Sequence, residues 1–392
     1  MSTPCCVTAA CYDSRLMERN CVWDDLIAQK RVADFLDNAV RTSAVAHAYL
    51  FVGPTGSGKK TAARALACAL FCDDGGCGAC SVCHRVRNGT HPDLRVLRPA
   101  GAATYMVEQI REVIHDVHLK PVQASHKVYI FEEADRFNAE SANAFLKTLE
   151  EPPDDVVIVL LTRSFDAVIP TVASRCQVVR FRPVPEPIAV GVLVQRSGAT
   201  EAEARVALAA SDSVISRALD YLQSPARRAA RDAIIELLKR LPHMDGHDVL
   251  VGARAVLAEA KAPVEALKAV QAEELAERKE LLGKGAKTRP LEEQHKRDLT
   301  AREREGVVEI LSVAESWLRD CLVMSGYARE LVANADEADA IEEIAAVMTP
   351  RAAVKAIDAV ARTRRRISYN VSPQLAVEAM LFDIQEVLRC PR

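Results

Sequence analysis

The chain has 392 residues, 54 acidic against 51 basic for a formal charge of −3, with 49% hydrophobic and 27% charged side chains. That length exceeds what one hydrophobic core organises and predicts two or three domains. The near-balanced charge excludes a histone-like protein that coats nucleic acid by charge alone. No run of about eighteen apolar residues and no basic-then-apolar leader appears, so neither membrane insertion nor secretion is expected and the compartment is taken as cytoplasmic.

Residues 1–21 show no hydrophobic period and read as a loose N-terminal extension carrying Cys5, Cys6, Cys11 and Cys21. Apolar residues at Val32, Phe35, Leu36 and Ala39 give helical spacing between Gln29 and Arg41. Ala48–Val52 is a short apolar run stopped by Gly53-Pro54, which predicts a buried parallel strand.

A glycine loop follows, Gly53-Pro54-Thr55-Gly56-Ser57-Gly58-Lys59-Lys60-Thr61, and then an Ala- and Leu-rich helix from Thr61 to Phe71. Between a strand and a helix such a loop cradles phosphates with backbone N–H groups, and Lys59 is placed to reach the terminal ones. Gly53, Gly56, Gly58, Lys59, Lys60 and Thr61 are therefore candidate nucleotide contacts. Lys60, however, stands where a Ser or Thr hydroxyl would hold Mg²⁺, and Thr61, one residue on, is rotated by about 100° around a helix. ATP with Mg²⁺ is thus a possible ligand whose metal site is altered.

Cys72, Cys77, Cys80 and Cys83 place four thiols within twelve residues of a Gly- and Asp-rich stretch, the spacing of a loop folded around one tetrahedral Zn²⁺. Four protein ligands close the shell, so such a metal would be structural. Chance clustering or redox thiols are the competing readings, and His84 is an outer or substitute ligand candidate. The scattered Cys68, Cys176, Cys321 and Cys390 are expected as free thiols.

Leu94–Leu97 is predicted as a strand, Met106–Val117 as a helix, and Lys127–Phe131 as a strand that ends in Glu132-Glu133-Ala134-Asp135. An acidic pair at a strand end resembles the second ATPase motif: Glu132 stands at the metal-binding place and Glu133 where a catalytic base would act. Ser141–Leu149 is predicted helical, Val156–Thr162 and Gln177–Phe181 as strands, and Ser174-Arg175-Cys176 lies between these two strands. An arginine just outside a parallel sheet can project to a neighbouring subunit's phosphate, although alone it is more often a surface ion-pair partner.

Strands alternating with helices predict an α/β module with a parallel sheet covered on both faces, spanning 22–187 with the cysteine loop at 72–83. The proline run Pro183–Pro187 marks its edge. Three short helices are expected in a small lid, 188–228, followed by an all-α domain, 229–392, with a charged helix or hairpin at 271–305 broken near Gly283-Lys284-Gly285 and two last helices separated around Asn370–Pro373.

Taken in order, His47–Pro54, the cysteine cluster, His91-Pro92-Asp93, Asn143–Pro153 and Ser174-Arg175-Cys176 resemble the AAA+ clamp-loader family of bacterial DNA polymerase III across most of 22–187. Trp317-Leu318-Arg319-Asp320 and Asn370–Leu381 are similar to that family's collar domain. The resemblance implies a hetero-pentameric ring with gamma/tau and delta subunits that loads a sliding clamp onto primer–template DNA. It further implies Thr162 as a sensor beside the nucleotide, Arg217 as a lid-domain sensor offset by one residue, and Arg175 as an arginine finger acting in trans. The altered loop, the charged insertion and the ending near the collar favour a stator-type member over an ATP-hydrolysing gamma/tau-like motor, which is the alternative. A zinc-dependent nucleic-acid-binding module is disfavoured by the absence of a basic–aromatic ladder.

Overall fold

A computed structural model describes residues 21–99, 104–282, 289–369 and 371–389. The expected extension at 1–20, the break at Gly283–Gly285 and Asn370 lie outside them. The chain divides into two compact units: the first runs to Arg182 and the second begins at Pro183.

The first unit is built on five parallel strands, β1 (Ala48–Val52), β2 (Leu94–Leu97), β3 (Lys127–Phe131), β4 (Val156–Thr162) and β5 (Gln177–Arg180), in spatial order β2-β3-β4-β1-β5. β1 pairs with β4 in the register Leu50 to Leu160 and with β5 in the register Leu50 to Val178. The central strands are buried at every position, which is why they read as continuous apolar runs rather than alternating ones. Alternation survives in where they point. Tyr49, Phe51, Val128, Ile130, Val157 and Val159 fill the core on one face, and Ala48, Leu50, Tyr129, Phe131, Ile158 and Leu160 fill the other. Each such leucine or isoleucine contributes roughly 1.5–3 kcal/mol on burial.

Helices α1 (Lys30–Arg41) and α2 (Lys59–Phe71) supply the first face, with α3 (Ser81–Asn88) beside them; α4 (Val107–Val117), α5 (Ala139–Glu150) and the short α6 (Pro170–Ala173) supply the second. α5 starts on a capping box in which the Asn138 side chain accepts from Ser141 N–H and the Ser141 hydroxyl accepts from Asn138 N–H. α3 is absent from the sequence-based reading: its N-cap is Cys80, a metal-type residue, and only eight residues follow before Gly89 ends it in the left-handed region.

Among its described residues the second unit has helices and no strand: α7 (Glu186–Ser197), α8 (Glu201–Ala210) and α9 (Ile215–Gln223), then α10 (Pro225–Arg240), α11 (Gly246–Leu282), α12 (Arg289–Ser325), α13 (Ala338–Val347), α14 (Pro350–Ser368) and α15 (Pro373–Arg389). α11 and α12 are 37 residues each and pack against one another. Of the charged 271–305 segment, residues 271–282 lie in α11 and 289–305 in α12. Within α12, Trp317 is fully buried, and the equally buried Asp320 carboxylate accepts the N–H groups of Ala333 and Asn334 at 3.0 and 2.7 Å. Burying that charge is tolerable because the donors are fixed in place.

Candidate functional site

The loop between β1 and α2 leaves the sheet where β1 has β4 on one side and β5 on the other, outside the carboxyl ends of the strands. This is the crevice in which open parallel sheets place ligands. Two of its glycines are required by geometry. A Cβ at Gly53 would lie 2.7 Å from the carbonyl oxygen of Phe181, and Gly58, the residue before α2, has φ 86°. Lys59 opens the helix, and its ammonium donates to the carbonyls of Gly53 and Pro54 at 2.5 and 2.6 Å. Burial first, then the charge of Arg163, lowers its pKa to about 8, against an opposing pull from Asp135.

The acidic motif at the end of β3 is turned to two different purposes. Glu132 is held inward: its side chain is 17% exposed, Lys60 Nζ stands 2.6 Å from Oε1, and Arg98 Nε stands 3.0 Å from Oε2. Burial pushes the Glu132 carboxyl up, but Lys60 and Arg98 outweigh it and hold the group below the usual glutamate range. Burial lowers the Lys60 ammonium, and Glu132 pulls it back only in part. Glu133 instead takes left-handed backbone, φ 54°, and pairs with Arg136 Nε at 2.6 Å with more than half of its side chain exposed. Thr162, at the end of β4 and so between the two motifs, is buried and donates to Ser164 O at 2.9 Å and to Asp135 Oδ1 at 3.3 Å.

At the other end of α2, the Sγ atoms of Cys72, Cys77, Cys80 and Cys83 all lie within 4.8 Å of one another, with Cys72–Cys77 and Cys72–Cys80 both at 3.7 Å. A tetrahedral Zn–S shell of about 2.3 Å bonds has edges of about 3.8 Å, so the thiols stand at ligand spacing. Gly75, Gly76 and Gly78 all have positive φ, and a Cβ at Gly76 would lie 2.6 Å from Val22 Cγ2, which explains the glycine content of the loop. N–H groups of Ala79 and Cys80 hold the Cys77 thiol below the usual cysteine range, while burial raises Cys83. The loop is tied down from outside: Val22 N–H donates to Gly76 O, and Arg87 bridges Gly78 O and the Asp25 carboxylate at 2.9 and 2.7 Å. Cys68, whose thiol burial pushes up to about 11, donates to Cys83 O from the core and is not a fifth ligand.

Arg175 follows α6 on the sheet's margin. Its guanidinium pairs with Glu150, the last residue of α5, and NH1 donates to Thr171 O at 2.8 Å; about a third of the side chain is exposed. The two motifs Asn143–Pro153 and Ser174–Cys176 therefore meet through one ion pair, a link that sequence reading missed because 25 residues separate the partners. Arg217, in the second unit on α9, stands 4.0 Å from Asp212, which also receives Arg364 NH1 at 2.8 Å.

Asp93, in the His-Pro-Asp segment, was not singled out as a site residue and has a structural task. Its buried carboxylate accepts the N–H groups of Val122, Gln123 and Ala124 at 2.6–2.9 Å and so fixes the turn that leads into β3. The His91 ring stacks on Phe71, the last residue of α2, at a centroid distance of 4.6 Å. Among the described residues no helix is long and apolar enough to cross a membrane.

A family model described as DNA polymerase III, delta subunit, matches residues 28–185. The chain is 33% identical over 222 residues to DNA polymerase III subunit delta' of Bacillus subtilis, an alignment covering 56% of this chain and 67% of that protein. It is 40% identical over 136 residues to subunit delta' of Pseudomonas aeruginosa, covering 33% and 42% of the two chains. It is also 34% identical over 173 residues to subunit tau of B. subtilis, covering 43% and 30%. The chain thus spans less than half the length of the latter two relatives.

Proposed function

Because the chain belongs to the DNA polymerase III clamp-loader family, we propose that it serves as a delta-prime subunit: a stator that completes a neighbouring gamma/tau ATPase site instead of running its own. The observation that carries this reading is the Lys60–Glu132 ion pair. A motor subunit needs a hydroxyl and a carboxylate there to hold magnesium; here the two side chains hold each other.

In this reading the chain sits in a hetero-pentameric ring with gamma/tau and delta subunits, in the cytoplasm, and acts on the sliding clamp and on primer–template DNA through that ring. Arg175 leaves Glu150 for the γ-phosphate of the adjacent subunit's ATP, where a guanidinium neutralises charge that develops in the transition state. Glu150 serves as the resting partner that keeps the guanidinium extended at the margin of the module. Thr162 and Arg217 keep the places of nucleotide sensors without a turnover to report. The four thiolates hold one Zn²⁺, which when bound cross-links the end of α2 to the start of α3.

The test is the reconstituted ring carrying Arg175→Ala in this chain alone. Arginine fingers contribute about 10³–10⁵ in rate at the site they complete. Clamp loading and DNA-stimulated ATP turnover are expected to fall, while the isolated wild-type chain turns over no ATP. Full activity of the substituted ring, or robust ATP turnover by the isolated chain, would sink the stator reading, the latter in favour of a gamma/tau-like motor.

A further inference from the structure

Lys60 and Glu132 each depart from what a magnesium-dependent phosphate loop requires, and the structure makes the two departures one feature. Lys60 is the second residue of α2 and Glu132 the first beyond β3; their side chains meet at 2.6 Å. The second carboxylate oxygen is taken by Arg98, which extends from the end of β2, whose backbone carbonyl accepts from Gln109 Nε2 at 2.7 Å. Arg64, one turn further along α2, has a buried Nε with no hydrogen-bond partner. Glu133, the next acid, is committed to Arg136. Two cations thus share one carboxylate, leaving a surplus of one positive charge beside a loop whose N–H groups and Lys59 already favour anions.

That balance is the reverse of a divalent-cation site. Magnesium needs oxygen ligands at about 2.0–2.1 Å in octahedral array. Here the carboxylate that would ligate it is occupied by two nitrogen cations, and the incoming ion would meet an ammonium where it needs a hydroxyl. A polyphosphate without its metal carries more negative charge than the same molecule with it, and complements a surplus of positive charge better.

We propose that Lys60 and Arg98, paired with Glu132, replace the divalent cation, so that the phosphate loop of this chain takes a nucleoside di- or triphosphate in its metal-free form. The proposal deepens the stator reading and rests on its account of the loop. A nucleotide held this way would keep the loop ordered without being cleaved, because no metal-bound oxygen network is built around the γ-phosphate.

The experiment is equilibrium binding of ADP and of ATP to the purified full chain, in EDTA and in excess Mg²⁺, alongside K60T/E132D. For the wild type, binding is expected to be at least about threefold tighter in EDTA than in magnesium. In the double variant the order should invert, and Mn²⁺ titrated with ADP should show one bound ion by electron paramagnetic resonance where the wild type shows none. Wild-type binding that tightens with Mg²⁺, no binding in EDTA, or a double variant indifferent to metal while retaining the wild-type helical signal and melting profile would each overturn the proposal. None of these readouts involves the assembled ring, so the proposal and the Arg175 assignment fail separately.

Discussion

One helix, α2, has a chemical site at each end, and the two ends have met opposite fates. At its N-terminus the loop keeps the backbone geometry of a phosphate cradle, down to the left-handed Gly58, but the side chains that would hold magnesium are tied to each other. At its C-terminus the four thiols beginning with Cys72 stand at the spacing of a closed tetrahedral shell. The difference follows from what each end contributes. In the proposed stator reading, a catalytic cation could be dispensed with because turnover would happen in a neighbour, whereas a structural cation at the four thiols would hold up the fold around them.

The largest effect should come from the C-terminal end. Wild-type protein purified without chelator is expected to carry one zinc ion per chain by metal analysis, and Cys77→Ser/Cys80→Ser none. Structural zinc contributes about 10–16 kcal/mol in isolated finger peptides. Within a larger core, losing a fraction of that should still lower the melting temperature of the first unit by at least about 10 °C. An unchanged melt would mean that the loop is held by Arg87, Val22 and the core alone, and the contrast between the two ends would disappear.

A smaller effect is expected at Asp93, which fixes the turn leading into β3. Burial pushes its carboxyl up, but three backbone N–H groups outweigh burial and hold it below the ordinary aspartate range. A depressed folded-state pKa contributes stability that is fully present above the unfolded value near about pH 4 and is lost as pH falls through the folded value. Asp93→Asn should therefore cost about 2–3 kcal/mol at pH 7. The gap between variant and wild type should narrow on acidification. A gap that stays constant down to about pH 2 would show that shape rather than charge fixes the turn.

Much of the first unit was legible because its central strands are buried on both faces: Ala48–Val52, Lys127–Phe131 and Val156–Thr162 are largely apolar runs, and the structure places strands over those residues and over Leu94–Leu97. The cysteine cluster was legible from spacing alone, since its ligands lie within one loop. What stayed hidden is long-range. Nothing in the sequence near Lys60 announces Glu132, seventy-two positions away, as its partner, and the strand order that makes β3 and β1 near neighbours arises only from packing. The same holds for Arg175 and Glu150. Glu133 was named as a candidate base, but its pairing with Arg136 was hidden for a local reason, a left-handed backbone that periodicity does not register.

The smallest effect belongs to Thr61, and it is the sharpest check on the N-terminal end. If a hydroxyl one residue late served the magnesium after all, Lys60 would be a bystander and the two ends of α2 would be equally intact. Thr61 is exposed in the first turn of α2, rotated by about 100° from Lys60 around the helix axis. Its removal touches no buried contact, so Thr61→Ala is expected to change stability by less than about 0.5 kcal/mol. Nucleotide affinity in EDTA and in Mg²⁺ should stay at the wild-type values. A selective loss of binding in magnesium would instead assign the metal to Thr61 and make the Lys60–Glu132 pair an ion pair beside a working site, since only a residue that ligates the cation, directly or through water, would separate the two conditions.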